Sequence, residues 1–335
     1  NTWQSIVGAS ALLWIVHFLI LRGVQTAASI NLVATLAKLL PLGLFVVLAM
    51  MMFKLDTFKL DFTGLALGVP VWEQVKNTML ITLWVFIGVE GAVVVSARAR
   101  NKRDVGKATL LAVLSALGVY LLVTLLSLGV VARPELAEIR NPSMAGLMVE
   151  MMGPWGEIII AAGLIVSVCG AYLSWTIMAA EVPFLAATHK AFPRIFARQN
   201  AQAAPSASLW LTNICVQICL VLIWLTGSDY NTLLTIASEM ILVPYFLVGA
   251  FLLKIATPPL HKAVGVGACI YGLWLLYASG PMHLLLSVVL YAPGLLVFLY
   301  ARKTHTHDNV LNRQEMVLIG MLLIASVPAT WMLVG

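Results

Sequence analysis

Residues 83–91 read Leu-Trp-Val-Phe-Ile-Gly-Val-Glu-Gly, which places an acidic residue near the middle of an apolar run over 76–97. An α-helix needs roughly 20 apolar residues to cross a bilayer. An ionisable group at that depth is costly and usually serves a function. Gly88 and Gly91 bracket Glu90, and each weakens a helix by roughly 1 kcal/mol relative to Ala. The stretch predicts a membrane helix that is weakened beside a functional carboxylate; the alternative is a pair of packing glycines with a carboxyl group bonded to a neighbouring helix.

The rest of the chain has the same apolar character. Of its 335 residues, 61% are hydrophobic and only 10% are charged, and the mean hydropathy is +0.98. Soluble domains are nearer 45–50% apolar and about 25% charged, so a soluble enzyme or binding module is excluded. We expect an all-α polytopic membrane protein, a single transmembrane domain over 1–335 with about ten helices. Their predicted spans are 3–21, 27–53, 76–97, 108–131, 155–178, 207–226, 233–254, 263–278, 283–301 and 316–334.

The net charge of +6 reflects membrane topology. When the loops are assigned alternately to two sides, 14 of the 20 basic residues fall on one side and five on the other. The positive-inside rule makes the first side cytoplasmic, so we expect no nucleic-acid partner. The basic residues of the cytoplasmic side are Arg22, Arg98, Arg100, Lys102, Arg103, Lys107, Lys190, Arg194, Arg198, Lys254, Lys262, Arg302, Lys303 and Arg313.

This orientation makes the first span run from outside to inside. Together with Asn1 in place of an initiator Met, it leads us to expect that earlier spans belong to the protein. No Walker-type loop, nucleotide fingerprint or metal-ligand spacing occurs in the sequence, so we expect no enzyme activity, no cofactor and no metal.

Two further acids lie at membrane depth. Glu181 follows the predicted span 155–178, where it marks a helix end, pairs with a loop arginine or acts in gating. Glu239 precedes Pro244 and Tyr245, and proline loosens the backbone hydrogen-bond ladder of a helix. For Glu239 a proton path, a substrate path and a structural role all remain open.

Two aromatic residues precede Glu90. A carboxylate beside an aromatic face suits a cationic, partly aliphatic substrate. In a regular helix, however, Trp84 lies on one face while Phe86 and Glu90 lie on another. A local break near Gly88 would bring them together. The alternative is that the aromatic rings face lipid or pack against neighbouring helices.

Stretches throughout the chain are shared with a known family, among them 83–91, the basic loop 96–109, the Ala-Glu-Val-Pro-Phe of 180–184 and the Leu-Val-Pro-Tyr of 242–245. The chain resembles the basic amino acid/polyamine antiporters of the amino acid–polyamine–organocation superfamily, most closely the arginine/ornithine antiporters. The resemblance implies the five-plus-five inverted-repeat, leucine-transporter-like fold, in which 76–97 is the sixth helix. The first three helices are then missing from this chain.

The resemblance also implies site roles. Trp84 and Trp175 are the aromatic contacts of the substrate side chain, and Ile87 and Gly88 offer backbone groups there. Glu90 is implied in gating or proton response, and Tyr245 in the inner gate. Phe86 and Ser238 complete the predicted binding residues. Ser238 is included because the family has a polar substrate contact at this point of the helix, where this sequence has Ala237 and then Ser238. Glu181 and Glu239 complete the gating or proton-coupling set.

The function that the resemblance implies is exchange of cationic amino acids, arginine for ornithine, by alternating access across the bacterial inner membrane. A lysine, histidine or polyamine exchanger and a proton-coupled permease are the alternatives within transport. A membrane sensor without flux is an alternative of another class. The expected partners are cationic amino acids and the lipid bilayer, and a homodimer is left open.

Overall fold

The computed structural model describes residues 2–96, 99, 101–139, 142–227, 230–305, 311 and 313–334, and within these ranges it contains helices and no strand. The helices are α1 Trp3–Leu21, α2 Val24–Met52, α3 Leu55–Lys59, α4 Val71–Phe86, α5 Gly91–Val94, α6 Lys102–Val130, α7 Arg133–Glu138, α8 Ser143–Met152, α9 Pro154–Thr188, α10 Ser206–Thr226, α11 Tyr230–Ile255, α12 Pro259–Ser279, α13 Pro281–His305 and α14 Arg313–Val334.

Seven helical segments in the described ranges are long and apolar enough to cross a membrane. This agrees with a polytopic membrane protein, and each of the seven overlaps a predicted span. The segments are Trp3–Leu21, Leu32–Met52, Arg103–Val130, Pro154–Thr188, Ser206–Thr226, Ala237–Ile255 and Pro259–Ser279.

Two predicted spans differ from the helices found. The span 76–97 is not continuous, because α4 ends at Phe86 and α5 begins at Gly91. The span 155–178 lies inside α9, which continues to Thr188 and contains Pro183. A helix end was one of the roles considered for Glu181, but the helix continues past it and through Pro183, since a membrane helix tolerates proline when neighbouring groups satisfy the freed backbone carbonyl. Glu181 is therefore an interior residue of α9.

Three apolar clusters hold the helices together. Leu173 and Ile177 of α9 pack with residues of α1 and α10. Ile160, also on α9, packs with Phe45 of α2 and with α8. Gly163 of α9 lies directly against the ring of Pro41 on α2, so any side chain there would clash. The long helix α9 is thus the common neighbour of α1, α2, α8 and α10.

A ladder of hydrogen bonds joins α1 to α10. The amide nitrogen of Asn213 lies 2.7 Å from Nδ1 of His17, and both side chains are buried. Trp14 donates to Gln217 at 3.2 Å, and Gln217 donates to Ser10 at 2.9 Å. Such bonds between membrane helices contribute about 0.6 kcal/mol each on average. They fix α1 and α10 in one register.

The loop before α4 is also fixed. Arg133 pairs with Asp61 at 2.6 Å, and Gln74 of α4 donates to the carbonyls of Thr63 and Val69 at 3.2 and 2.8 Å. These contacts tie the start of α4 to the loop that precedes it, and tie that loop to Arg133 at the start of α7. The amino-terminal end of α4 is therefore fixed in position.

Candidate functional site

The site begins at the interruption between α4 and α5. Ile87 leaves helical geometry with φ −62° and ψ 130°, and Gly88 adopts φ +106°. A positive φ of this kind is accessible to glycine and disfavoured for residues with a Cβ. The helix resumes at Gly91, whose N–H donates to the Gly88 carbonyl at 3.0 Å. The break thus occurs between the two glycines that bracket Glu90.

The indole of Trp175 on α9 lies against this break. A Cβ at Gly88 would come within 3.0 Å of the indole ring. Glycine therefore serves two purposes at position 88, since it allows the positive φ and leaves room for the ring. Trp175 remains 42% exposed, so a face of its side chain is open to a ligand.

Glu90 joins the break to α11. Its Oε2 accepts hydrogen bonds from the Gly88 N–H at 2.9 Å and from the Tyr245 hydroxyl at 3.1 Å. Neither bond uses Oε1. The first bond closes the turn of the unwound segment, and the second couples that segment to a different helix.

A cavity of about 720 Å³ opens beside Glu90. Its walls are one face each of α9, α11 and α12, with residues repeating at intervals of three and four. This is the spacing at which side chains share a helix face. The lining comprises Glu90, Val94, Trp175, Met178, Ala179, Val182, Ala237, Met240, Ile241, Pro244, Tyr245, Val248, Ala268, Tyr271, Gly272 and Leu275.

Glu90 is the one formally charged side chain among the described residues that line this cavity. An acid in apolar surroundings interacts more strongly with a cation than it would in water, because the local dielectric is lower. The aromatic faces of Trp175 and Tyr245 add a second attraction for a cation, through their ring quadrupoles. Chemically, the arrangement suits a compact organic cation with an apolar stem.

The predicted site residues divide into two groups. Glu90, Trp175 and Tyr245 come together in the cavity lining, although they are far apart in sequence. Gly88 lies directly under Trp175, and Ile87 packs against the adjoining apolar cluster of α4, α11 and α12. These five residues form one continuous region.

The remaining predicted binding residues lie outside the lining. Trp84 is partly buried on α4. Phe86 packs edge-on against Tyr120 of α6, with ring centroids 5.5 Å apart. The Tyr120 hydroxyl donates to the Val85 carbonyl at 2.8 Å, so α6 braces the end of α4. The structure gives Phe86 a packing contact at the break.

The polar residues predicted on α9 and α11 are buried behind the cavity. Ser238, Glu181 and Glu239 are 0%, 1% and 4% exposed. Ala237, the neighbour of Ser238, lines the cavity instead. The rotation of α11 decides which of the two neighbours faces inward.

Several lining residues were not predicted, notably Met178, Met240 and Tyr271. The first two follow from periodicity, since Met178 is three residues after Trp175, and Met240 is three after Ala237 and four before Pro244 on the same face. No signal pointed to Tyr271, because α12 carries no polar residue at membrane depth that marks it. Within the described residues, no group of three His, Cys, Asp or Glu side chains is placed to hold a metal ion.

Comparison with known proteins identifies the family of the chain. The family model described as amino acid permease matches residues 1–323. The arginine/ornithine antiporter of Pseudomonas aeruginosa is 44% identical, over 90% of this chain and 67% of that protein. The arginine/agmatine antiporters of Chlamydia pneumoniae and Chlamydia caviae are 38% and 41% identical, over 98% and 92% of this chain and 72% and 67% of their own lengths. The chain belongs to the amino acid permease family.

Proposed function

We propose that this protein is a secondary transporter that exchanges cationic amino acids, arginine for ornithine, by alternating access in the bacterial inner membrane. The observation that carries the proposal is the placement of Glu90. Its carboxyl group lies at a helix break, in a cavity whose other described lining residues are uncharged. A relative with 44% identity is named an arginine/ornithine antiporter, which supports this choice of substrates.

In this proposal the cationic side chain of the substrate lies between aromatic rings. Trp175 provides one ring from α9, and Trp84 provides another when α4 rotates into the loaded state. The contact of a guanidinium with an indole contributes about 0.5–2 kcal/mol, depending on desolvation. The unwound Ile87 and Gly88 offer peptide groups to the polar end of the substrate. Phe86 contributes indirectly, by packing against Tyr120 at the end of α4, and Ser238 is a proposed substrate contact that requires a rotation of α11.

Glu90 links occupancy to closure. In the structure it accepts a bond from Tyr245 of α11, so a cation that approaches Glu90 competes with or strengthens that bond. Either change alters the position of α11 relative to the break. Glu181 and Glu239 are buried on α9 and α11, two of the three helices that line the cavity, and we assign them to the same gating or proton-coupling network.

The proposed architecture is the five-plus-five inverted repeat of the leucine transporter class. In such transporters, interrupted helices present backbone groups to the substrate near the bilayer midplane. The α4–α5 interruption is the feature of this chain that fits that role. About a third of the Pseudomonas relative lies outside the aligned region, so transport is to be assayed with the full-length protein.

Arginine and agmatine form the second candidate pair, because two relatives are named arginine/agmatine antiporters. The net charge moved in each exchange distinguishes the two substrate pairs. Arginine and ornithine each carry one positive charge near neutral pH, so their exchange moves no net charge. Agmatine carries two, so its exchange for arginine is electrogenic and responds to membrane potential.

The test is exchange by full-length protein in proteoliposomes. Vesicles are loaded with ornithine, agmatine, lysine, histidine, a polyamine or buffer alone, and labelled arginine is added outside. The proposal predicts uptake into ornithine-loaded vesicles that does not change when a potassium diffusion potential is imposed with valinomycin. Uptake that needs internal agmatine and follows the potential would reassign the pair. Equal uptake into empty vesicles would replace exchange with a permease, and binding without any uptake would favour a sensor.

A further inference from the structure

A second cavity, separate from the transport site, lies on the segment between α9 and α10. It measures about 380 Å³ and is lined by Arg194, Ile195, Ala197 and Arg198. Two guanidinium side chains thus border one small space. The positive-inside distribution assigns this segment to the cytoplasmic face, at the boundary between membrane and water.

Both arginines lack nearby acidic neighbours in the sequence. The chain has no Asp or Glu between Glu181 and Asp229. The two ion pairs found within the described ranges belong to Arg133 and Arg302, not to these residues. Two positive charges therefore share a cavity without an acidic partner from the described part of the chain. An anion in this space is attracted by both positive charges.

The segment that carries the arginines is held at several points. Buried Ser208 donates to the Phe196 carbonyl at 2.9 Å, and Phe192 packs on Phe196 with ring centroids 5.0 Å apart. Asn200 donates to the Leu21 carbonyl at the end of α1 at 2.7 Å. The arginines are thus presented from an anchored segment, which reduces the entropy that a ligand must overcome.

We propose that Arg194 and Arg198 bind a phosphate group, and that the phosphodiester of an anionic lipid headgroup is the expected source. Guanidinium groups bind phosphate oxygens in bidentate geometry. Basic pockets on the cytoplasmic side of membrane helices suit anionic headgroups. Ile195, between the arginines, is 51% exposed and offers an apolar contact for the glycerol backbone or an acyl chain. A free phosphate ion offers the same oxygen acceptors to the arginines, but it has no apolar part that could contact Ile195.

The test uses full-length protein in detergent, titrated with fluorescent dioleoyl phosphatidylglycerol and, as the neutral reference, with dioleoyl phosphatidylcholine. The variant R194Q/R198Q is compared with K254Q/K262Q, which removes two exposed basic residues, at the end of α11 and the start of α12, that are assigned to the same face of the membrane. We expect phosphatidylglycerol affinity to fall about tenfold or more in the arginine variant alone, since each basic residue near anionic lipid contributes about 1 kcal/mol. Inorganic phosphate is added as competitor to distinguish the two sources.

Competition by millimolar phosphate would assign the site to phosphate groups in general, and its absence would assign it to the lipid. Equal affinity losses in the two variants would overturn the proposal, because bulk charge alone would explain them. The variant R194K/R198K controls for folding, since it retains the charge. If R194K/R198K is monodisperse and binds phosphatidylglycerol no better than R194Q/R198Q, while wild type does bind it, the planar guanidinium groups are required in addition to the charge. If wild type prefers neither lipid and ignores phosphate, the site does not exist.

Discussion

The hydroxyl of Tyr245 on α11 donates a 3.1 Å hydrogen bond to Glu90, a residue 155 positions earlier at the break between α4 and α5. The same carboxylate oxygen accepts the N–H of Gly88 at 2.9 Å. One side chain therefore stabilises the irregular backbone and connects it to a neighbouring helix. This is the arrangement expected of a residue that reports on occupancy of the adjoining cavity.

Replacing Tyr245 with Phe removes this connection while the ring stays in place. A hydrogen bond to a charged acceptor contributes roughly 1.5–3 kcal/mol, so we expect the rate of arginine exchange to fall by about tenfold or more. The measurement is the initial rate of counterflow in proteoliposomes. The control is Y271F, which removes another cavity-lining hydroxyl that makes no described bond to Glu90. Equal rates in the two variants would contradict a coupling role for Tyr245.

Replacing Gly88 with Ala tests the backbone at the break. A Cβ meets both the disfavoured φ of +106° and the ring of Trp175, and strain of this kind costs of order 1–3 kcal/mol. We expect a lower midpoint of thermal unfolding in detergent. The control is G118A on α6, where a Cβ meets nothing within 4 Å, and where Ala is favoured by about 1 kcal/mol in a helix. A stable G88A protein alongside a destabilised G118A protein would disprove the strain at Gly88.

The contact of His17 with Asn213 is tested by a double-mutant cycle. We expect H17A and N213A each to destabilise the protein and their combination to show a coupling of about 0.6 kcal/mol, with about 1.7 kcal/mol as the upper bound for such bonds in membranes. The measurement is reversible unfolding in mixed micelles. Strictly additive effects would mean that the 2.7 Å contact contributes nothing specific to the packing of α1 on α10.

Replacing Trp175 with Leu removes the aromatic face and keeps the apolar volume. Loss of a cation–π contact of about 0.5–2 kcal/mol predicts that arginine binding weakens by about two- to thirtyfold. Equilibrium binding of labelled arginine to the full-length protein measures this, and W84L is compared in parallel. The control is W155L, on the same helix but 70% exposed and outside the cavity lining. Unchanged affinity in both W84L and W175L would remove the aromatic contacts from the proposal.

Much of the helical architecture is predictable from apolar runs of membrane-spanning length. The break is predictable too, because Gly88 and Gly91 weaken the helix where Glu90 needs polar partners. By contrast, the end of the span predicted at residue 178 is too early. The helix α9 continues through Pro183 to Thr188, because packing with neighbouring helices maintains the helix despite the missing N–H.

The composition of the cavity is less predictable, because it depends on how each helix is rotated about its axis. Ala237 and Ser238 are adjacent in sequence, yet Ala237 lines the cavity and Ser238 is fully buried behind it. Tyr271 lies on a helix whose apolar sequence gives no sign of a site. Phe86 shares a face with Glu90 in a regular helix, but the break separates them and Tyr120 packs against Phe86.

Glu90 is proposed to recognise the positive charge of the substrate. The most direct test compares arginine with citrulline, its uncharged near-isostere, for binding to the wild-type protein and to E90Q. We predict that wild type prefers arginine, and that E90Q loses about tenfold or more of its arginine affinity with citrulline affinity unchanged, as for loss of a charge-assisted contact of about 1.5–3 kcal/mol. The exposed Glu150 on α8 provides the control variant, E150Q. If E90Q keeps the wild-type preference for arginine, or if its affinities for arginine and citrulline fall equally, Glu90 does not recognise the charge of the substrate.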